Sequence, residues 1–373
     1  MKMLIVMAGF FPGRKYGGPP VSVDNFCSLM REIECYILCK NHDMGDTEIY
    51  SEINDGWNEL SNCKVQYLSD KEYNANGFEK VIMNLKPDVL YLQGLFQSCV
   101  FPCLKIAKKH RIKVLLAPRG ELCAGAFMKK YKKIPYIIVL RTLGLTKAIH
   151  FQSTSEEETE SIQKWLGVSK HRIHNLTNIP SIPKEVYSHP EKKSGEGRFV
   201  FISRIHPKKN LIFALQCLKE AKGNVQFDIY GPIEDNDYWT KCEHEITSMP
   251  KNVQVKYCGL ISHDDVHRTF SQYDAFFFPT YSENFGHVIA EALMVGCPVI
   301  ISNQTPFSDV YELNAGWAIQ LDKKELFIRA LNEITYNNDI NQRNMIYGTK
   351  KYIDKHFDLS GLKSMYTDIL YKL

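Results

Sequence analysis

Short apolar runs rich in β-branched and aromatic residues alternate along the whole chain with stretches whose apolar positions recur at helical spacing. This is the pattern of parallel sheets covered by helices. In the first half the runs predict strands at Met3–Ala8, Cys35–Cys39, Lys64–Leu68, Val89–Gln93, Val114–Ala117 and Ile149–Gln152. In the second half they predict strands at Phe199–Ser203, Val225–Tyr230, Val253–Tyr257, Ala275–Pro279 and Val299–Ser302. Between the two series, Ile179-Pro180-Ser181-Ile182-Pro183 and the polar segment Ser188–Arg198 read as a linker. Three helical stretches finish the chain, at Lys323–Thr335, Asn341–His356 and Leu359–Leu373.

A chain of 373 residues is too long for one ordinary core, and the linker divides it into an N-terminal domain of residues 1–180 and a C-terminal domain of 184–356. Both are expected to be Rossmann-like α/β domains, whose ligands lie beyond the C-terminal strand edges; two such edges facing one another would enclose a cleft. The balance of 46 Lys+Arg against 42 Asp+Glu leaves +4, with no basic footprint for nucleic acid. The 11 cysteines form no C-x-x-C pair and read as reduced thiols of a cytoplasmic protein. The basic and apolar start, Met1 to Pro12, is short, lacks a small-residue cleavage site and reads as the first buried strand. Ile134–Leu145 is too short to span a bilayer. The twelve histidines are scattered without metal-ligand spacing, so no metal site is expected.

The chemistry concentrates at predicted strand ends. After Ala275–Pro279 the chain reads Tyr281-Ser282-Glu283-Asn284-Phe285-Gly286-His287-Val288-Ile289-Ala290-Glu291, with two carboxylates eight positions apart around a glycine that opens a helix. Backbone N–H groups of Gly286, His287 and Val288 at that helix start suit a diphosphate, and the carboxylates suit sugar hydroxyls. The plainer alternative is one loop Glu and one helix-surface Glu. After Phe199–Ser203 comes Arg204-Ile205-His206-Pro207-Lys208-Lys209, where Arg204 and Lys209 would stabilise a departing diphosphate or merely decorate a helix start. Gly17-Gly18 after the first strand allows close approach of a phosphate or acceptor, or serves chain reversal alone. Arg119, in Pro118-Arg119-Gly120-Glu121, either contacts a donor sugar, its phosphate or an anionic acceptor, or forms a salt bridge with Glu121 or Glu156. Gly231 and Gly259 lie in strand-end turns that would edge a nucleotide base, or are conformational only. Thr154-Ser155-Glu156-Glu157-Glu158 reads as a helix cap. The segment Met128–Leu140 joins Lys129, Lys130, Lys132 and Lys133 to an apolar run, as in a helix resting on anionic lipid or a buried helix after a solvated turn.

The stretch around Glu283 and Glu291, with Pro279, Gly286, the Glu291-Ala292-Leu293 turn and Gly296-Cys297-Pro298-Val299-Ile300, resembles the signature of family 4 retaining glycosyltransferases of GT-B fold, the glycosyltransferase group 1 type. The likeness runs from the first strand to about Leu321. It implies two Rossmann-like domains facing across a cleft, with the terminal helix of residues 357–373 packing back on the N-terminal domain. By the same resemblance Glu283 accepts from donor sugar hydroxyls, Glu291 accepts from the ribose, and Arg204 and Lys209 hold the diphosphate, helped by amides near Gly286 and His287. It places Gly17 and Gly18 at the reaction centre and includes a Pro-Arg-Gly version of the motif at Arg119. Relatives often carry histidines where Tyr91 and Gln93 stand. Both are absent here, which leaves Gln93 as a hydrogen-bonding candidate on the acceptor side.

The implied activity is retaining transfer of a hexosyl group from a nucleotide diphosphate-sugar to a glycan or lipid-linked acceptor in surface polysaccharide biosynthesis, without a metal or other cofactor. The expected location is the cytoplasm, with the inner face of the cytoplasmic membrane as a peripheral alternative. A non-hydrolysing nucleotide-sugar epimerase of the same fold, or an inactive glycan-binding protein, are the competing readings. The epimerase would need an acid and base set that the strand ends do not supply.

Overall fold

The computed structural model describes residues 1–123, 130–283 and 285–373, and the side chains of 130–132 are left out of the description. Met128 and Lys129, at the head of the basic and apolar segment, and Asn284, within the two-glutamate loop, fall outside the described residues. The chain divides into two compact units, Met1–Ile179 with Leu359–Leu373, and Pro180–Asp358.

Unit 1 runs β1 (Lys2–Val6), α1 (Gly18–Leu29), β2 (Glu34–Lys40), β3 (Trp57–Glu59), β4 (Lys64–Leu68), α2 (Ala75–Leu85), β5 (Val89–Gln93), α3 (Val100–His110), β6 (Lys113–Ala117), α4 (Lys130–Thr142), β7 (His150–Ser153), α5 (Glu156–Leu166) and β8 (Ile173–Asn175). Its sheet has the order β3-β4-β2-β1-β5-β6-β7-β8. The pairings are parallel except for β3 with β4. Strands such as Val89–Gln93, buried at every position, read as continuous apolar runs because helices cover both faces.

Unit 2 continues with β9 (Glu196–Ile202), α6 (Leu211–Leu218), β10 (Asn224–Tyr230), α7 (Asn236–Thr247), β11 (Val253–Gly259), α8 (Val266–Phe270), β12 (Ala275–Phe278), α9 (His287–Met294), β13 (Val299–Ser302), β14 (Gly316–Ile319), α10 (Lys324–Tyr336) and α11 (Asp339–His356). The order here is β11-β10-β9-β12-β13-β14, all parallel. β9 and β12 are neighbours in the middle of the sheet, which brings the loops that follow them side by side. Phe276, Phe277 and Phe278 are fully buried, and truncating any one to Ala would cost about 3–5 kcal/mol.

The last helix, α12 (Leu359–Lys372), belongs to unit 1. It buries Leu362, Tyr366 and Leu370, spaced four apart on one helix face. Tyr366 donates its hydroxyl to Thr177 O at 3.1 Å and accepts from Gln152 Nε2 at 2.8 Å, and its ring meets Phe26 edge-on at 5.3 Å.

The segment Ser188–Arg198 differs from a linker. Lys192 is buried, donating to Thr335 O at 3.2 Å and lying 3.5 Å from the Asp274 carboxylate, which Arg198 also grips at 2.6 Å. Burial pulls the Lys192 ammonium below the usual lysine range. Its polar composition reflects a buried charge cluster and the start of β9, and the units meet earlier, between Ile179 and Pro180.

Candidate active site

In unit 2 the site is assembled from the loops after β9 and β12. Following β9, Ile205 N–H donates to Pro232 O at 2.8 Å and Glu234 N–H to Ile205 O at 3.2 Å, tying this loop to the one after β10. Arg204 pairs there with Glu234 at 2.6 Å. His206 caps the short turn Pro207–Lys209 by accepting from Lys208 N–H through Nδ1 at 3.1 Å. Asn210 then takes a left-handed conformation (φ 61°) and donates its side-chain amide to Pro279 O at 3.0 Å. The two loops are fastened to each other at this point.

That fastening delivers Lys209 to Glu283. Lys209 Nζ lies 2.5 Å from Glu283 Oε1, both side chains are nearly enclosed, and Nζ stands 5.4 Å over the Phe278 ring. Thr280 Oγ1 donates toward the same carboxylate oxygen at 3.2 Å, while Ser302 Oγ donates to Thr280 O at 2.5 Å. An ammonium and a carboxylate, both mostly withdrawn from water and adjacent, form a charge-assisted pair that can open toward a phosphate on one side and hydroxyls on the other.

Helix α9 starts from Gly286, whose φ of 77° is the left-handed region that glycine alone occupies without strain. A Cβ there would approach Ile289 and Phe307 to 3.2 Å. No side chain among the described residues caps the helix, so the amides of Gly286, His287 and Val288 form a helix N-terminus suited to an anion. One turn on, Glu291 is 6% exposed and its carboxyl has no partner among the described residues. Burial alone pushes it up to about 7. A carboxyl enclosed without a donor is costly unless protonated or given hydroxyls to accept from.

Gly231 has φ 133°, and any Cβ would fall 2.0 Å from Ser203 O, so the turn after β10 packs directly on the turn after β9. Gly231 N–H donates to Gly259 O at 2.8 Å, and open space lies beside Gly259.

In unit 1, Gly17 precedes α1 with φ 72°, and the loop before it is held by Asp43, which accepts from the backbone N–H of Arg14 at 2.7 Å and Lys15 at 3.1 Å. Gly18 opens α1 with prolines following. Arg119 has a left-handed backbone (φ 57°) and donates Nε and Nη2 to Gln93 Oε1 at 2.9 and 2.6 Å, and Nη1 to Asn178. In place of the salt bridge weighed for Arg119 stand two neutral amide oxygens, and it has no ion pair among the described residues. Glu121 instead accepts from the N–H groups of Leu95 and Phe96 at 2.6 and 3.1 Å, and burial raises its pKa. The buried Glu158 accepts from Gly120 N–H at 2.6 Å, which secures the turn carrying Arg119, while Ser155 caps α5.

The structure thus joins Lys209 with Glu283, Gly231 with Gly259, and Gln93 with Arg119. It leaves Arg204 on Glu234 with no direct contact to Lys209 among the described residues. Thr280, Asn210, Glu234, Asp43 and Asn178 went unnoticed in the sequence, and Glu158 was read there only as part of a helix cap. Only Asn210, a residue tolerant of left-handed backbone just before a helix, carried a signal there.

Residues 184–352 match the family described as glycosyl transferases group 1. An uncharacterized 41.2 kDa protein in the cps region of Klebsiella pneumoniae is 24% identical over 311 residues, 79% of this chain and 80% of that one. O-antigen chain mannosyltransferase B of Escherichia coli is 26% identical over 140 residues, 35% and 36% of the two chains. Among solved structures, Anabaena HepE in complex with UDP and glucose superposes with a TM-score of 0.71 at 15% identity over all of both chains. The galactosyltransferase WaaB of the lipopolysaccharide outer core gives 0.61 at 18%, again over all of both. The chain thus has the two parallel-sheet domains of the GT-B fold, and its second unit carries a glycosyl transferases group 1 domain.

Proposed function

We propose that the enzyme transfers a hexosyl residue, with retention at the anomeric carbon, from a nucleotide diphosphate-sugar to a glycan or lipid-linked acceptor in surface polysaccharide biosynthesis. The relatives from a cps region and an O-antigen system support the pathway class, and the UDP and glucose carried by HepE support the donor class. The observation that carries the reading is the Lys209–Glu283 pair beside the start of α9, with buried Glu291 one turn away.

The chemistry follows from those groups. The diphosphate lies at the α9 N-terminus, where the amides, Lys209 and Arg204 take up charge as the bond between C1 and the phosphate oxygen breaks. Glu283 accepts from sugar hydroxyls and holds the ring as it flattens. Glu291 accepts from the ribose. The acceptor hydroxyl attacks the face that the leaving group vacates, and its proton passes to the departing phosphate oxygen. Charge neutralisation by Arg, Lys and amides does the work a divalent ion would otherwise do, so no metal is required. Gln93 and Arg119 are offered to the acceptor, whose negative groups would meet a guanidinium that has no ion pair among the described residues.

Peripheral contact with an anionic membrane is part of the same proposal. Helix α4 and the turn after it leave Ile138, Val139 and Leu143 between 42% and 53% exposed next to the lysine-rich segment. No helix among the described residues is long and apolar enough to cross a membrane. The test is release of free nucleoside diphosphate that depends on the acceptor, with the anomeric configuration of the product read by NMR. An inverted product, or release of nucleotide without acceptor at the same rate, would overturn retaining transfer.

A further inference from the structure

Away from the residues assigned above, unit 1 carries a groove of about 690 Å³ between its sheet edge and helix α2. One wall is Trp57 on the edge strand β3 with its cross-strand partner Gln66 on β4. The Trp57 ring is only partly covered, resting edge-on against Tyr36 at 4.9 Å, and its indole N–H has no partner among the described residues. The other wall is Asn76, Lys80 and Asn84 of α2, with Lys71 from the turn before it. The side-chain amides of Gln66, Asn76 and Asn84 and the ammonium groups of Lys71 and Lys80 make no hydrogen bond or ion pair among the described residues. Glu72, the acid in the lining, is occupied by Ser69, whose N–H and hydroxyl it accepts from at 3.3 and 2.6 Å.

This inventory has a specific complement. A side-chain amide offers a donor and an acceptor side by side, matching a pair of adjacent sugar hydroxyls. An exposed indole offers an apolar face for the C–H side of a pyranose and an N–H at its rim. The two ammonium groups outnumber the one carboxylate of the lining, Glu72, whose charge acts on Lys80, and the net positive charge that is left favours an anion. A volume of this size falls in the range of sites for ligands of several hundred daltons, or about two or three sugar rings.

We propose that this groove binds a length of anionic polysaccharide, carrying carboxylate or phosphate groups, as a holding site separate from the transfer chemistry. The proposal rests on the reading that the enzyme works on surface polysaccharide. Glycan held here would stay near the enzyme between transfers and raise the effective concentration of its reacting end.

Binding is measured by calorimetry on the full chain with no donor present, so failure of the transferase reading and failure of the groove are separately visible. The probes are trigalacturonate, maltotriose as its neutral counterpart and triglutamate as a charge-matched peptide. Trigalacturonate is expected to bind with maltotriose at least about tenfold weaker. Trp57→Ala and the double variant Lys71→Gln/Lys80→Gln should each lose about tenfold. Because Trp57 also packs on Tyr36, Asn84→Asp on the exposed face of α2 serves as a second probe. It should leave the melting temperature unchanged and weaken trigalacturonate about fivefold by adding a like charge. No binding of trigalacturonate at about 10 mM, binding indifferent to all three variants, or triglutamate binding as tightly as trigalacturonate would overturn the proposal, the last in favour of a peptide-binding edge strand.

Discussion

The buried carboxyl of Glu291 is set to make both stability and donor binding depend on pH. Its pKa is pushed from the ordinary 4.5 up to about 7 by burial without a partner. At 1.36 kcal/mol per pKa unit this amounts to about 3 kcal/mol. The folded protein holds a proton on Glu291 between pH 4.5 and 7 that the unfolded chain has released, so stability falls as pH rises across that window. The contribution is fully present below 4.5 and lost above about 7. Glu291→Gln removes the titration. Urea denaturation of the ligand-free variant and parent should therefore coincide near the acid end of the window, with the variant more stable by up to about 3 kcal/mol above it. Other titrating groups, such as the histidines His189 and His267 whose pKa burial lowers, remain in both proteins and cancel in the difference. If ribose hydroxyls donate to Glu291, they stabilise its ionised form, and nucleotide binding must release a proton below pH 7. Calorimetry in two buffers of different ionisation enthalpy reads that proton directly. Donor affinity should rise with pH and level off above about 7, and Glu291→Gln should bind donor weakly without the slope. A flat stability difference between parent and variant would refute the raised pKa of Glu291, and binding without proton release would refute its assignment to the ribose.

Arg204→Ala or Lys209→Ala should slow transfer by about 2.7–4 kcal/mol in the barrier with the fold intact, and turnover of both variants within about threefold of the parent would remove them from the leaving-group site. Since Lys209 and Glu283 touch, Lys209→Ala and Glu283→Gln should couple by about 0.5–3 kcal/mol in a double-mutant cycle of kcat/KM, whereas additive losses would show that the contact is idle. Activity should persist in excess chelator, as initial rates with and without it will show; an absolute need for manganese or magnesium would contradict the metal-independent reading. Changing Lys129, Lys130, Lys132 and Lys133 together to Gln should reduce partition onto anionic vesicles by about 1 kcal/mol per residue, and unchanged sedimentation with the vesicles would leave the segment as a solvated face.

Eleven strands were legible because buried parallel strands are continuous apolar runs, as Val89–Gln93 and Val299–Ser302 show. The strands that escaped are short or atypical. Trp57–Glu59 is a three-residue edge with little burial, and Ile173–Asn175 is equally brief. Gly316–Ile319 begins on a glycine that only its close packing explains, since a Cβ at Gly316 would lie 2.0 Å from Val299 O. The first two are only three residues long, and in the third the apolar side chains are the three of Trp317, Ala318 and Ile319, short of the four that signal a strand.

The site divides along the same line between local and nonlocal information. That Gly286 opens a helix and that Lys209 closes a strand-to-helix turn are facts about neighbouring residues, and the sequence displayed them. The contact of Lys209 with Glu283 spans 74 positions and exists because β9 and β12 lie side by side, an adjacency that strand order decides and periodicity does not. It changes what the two residues mean. In the absence of ligand each is the other's counter-ion, which removes the cost of holding either charge alone in a half-dry site. On the proposed reading, a diphosphate arriving at α9 would offer Lys209 a second anion, and the sugar hydroxyls would offer Glu283 substitute donors. Substrate binding would then be an exchange of partners, with each half of the donor compensating the group that the other half draws away. A donor lacking its sugar supplies only one side of that exchange. The nucleoside diphosphate alone would leave Glu283 short of donors, so the full nucleotide-sugar should bind more tightly than its product, an asymmetry that favours release once the sugar has moved.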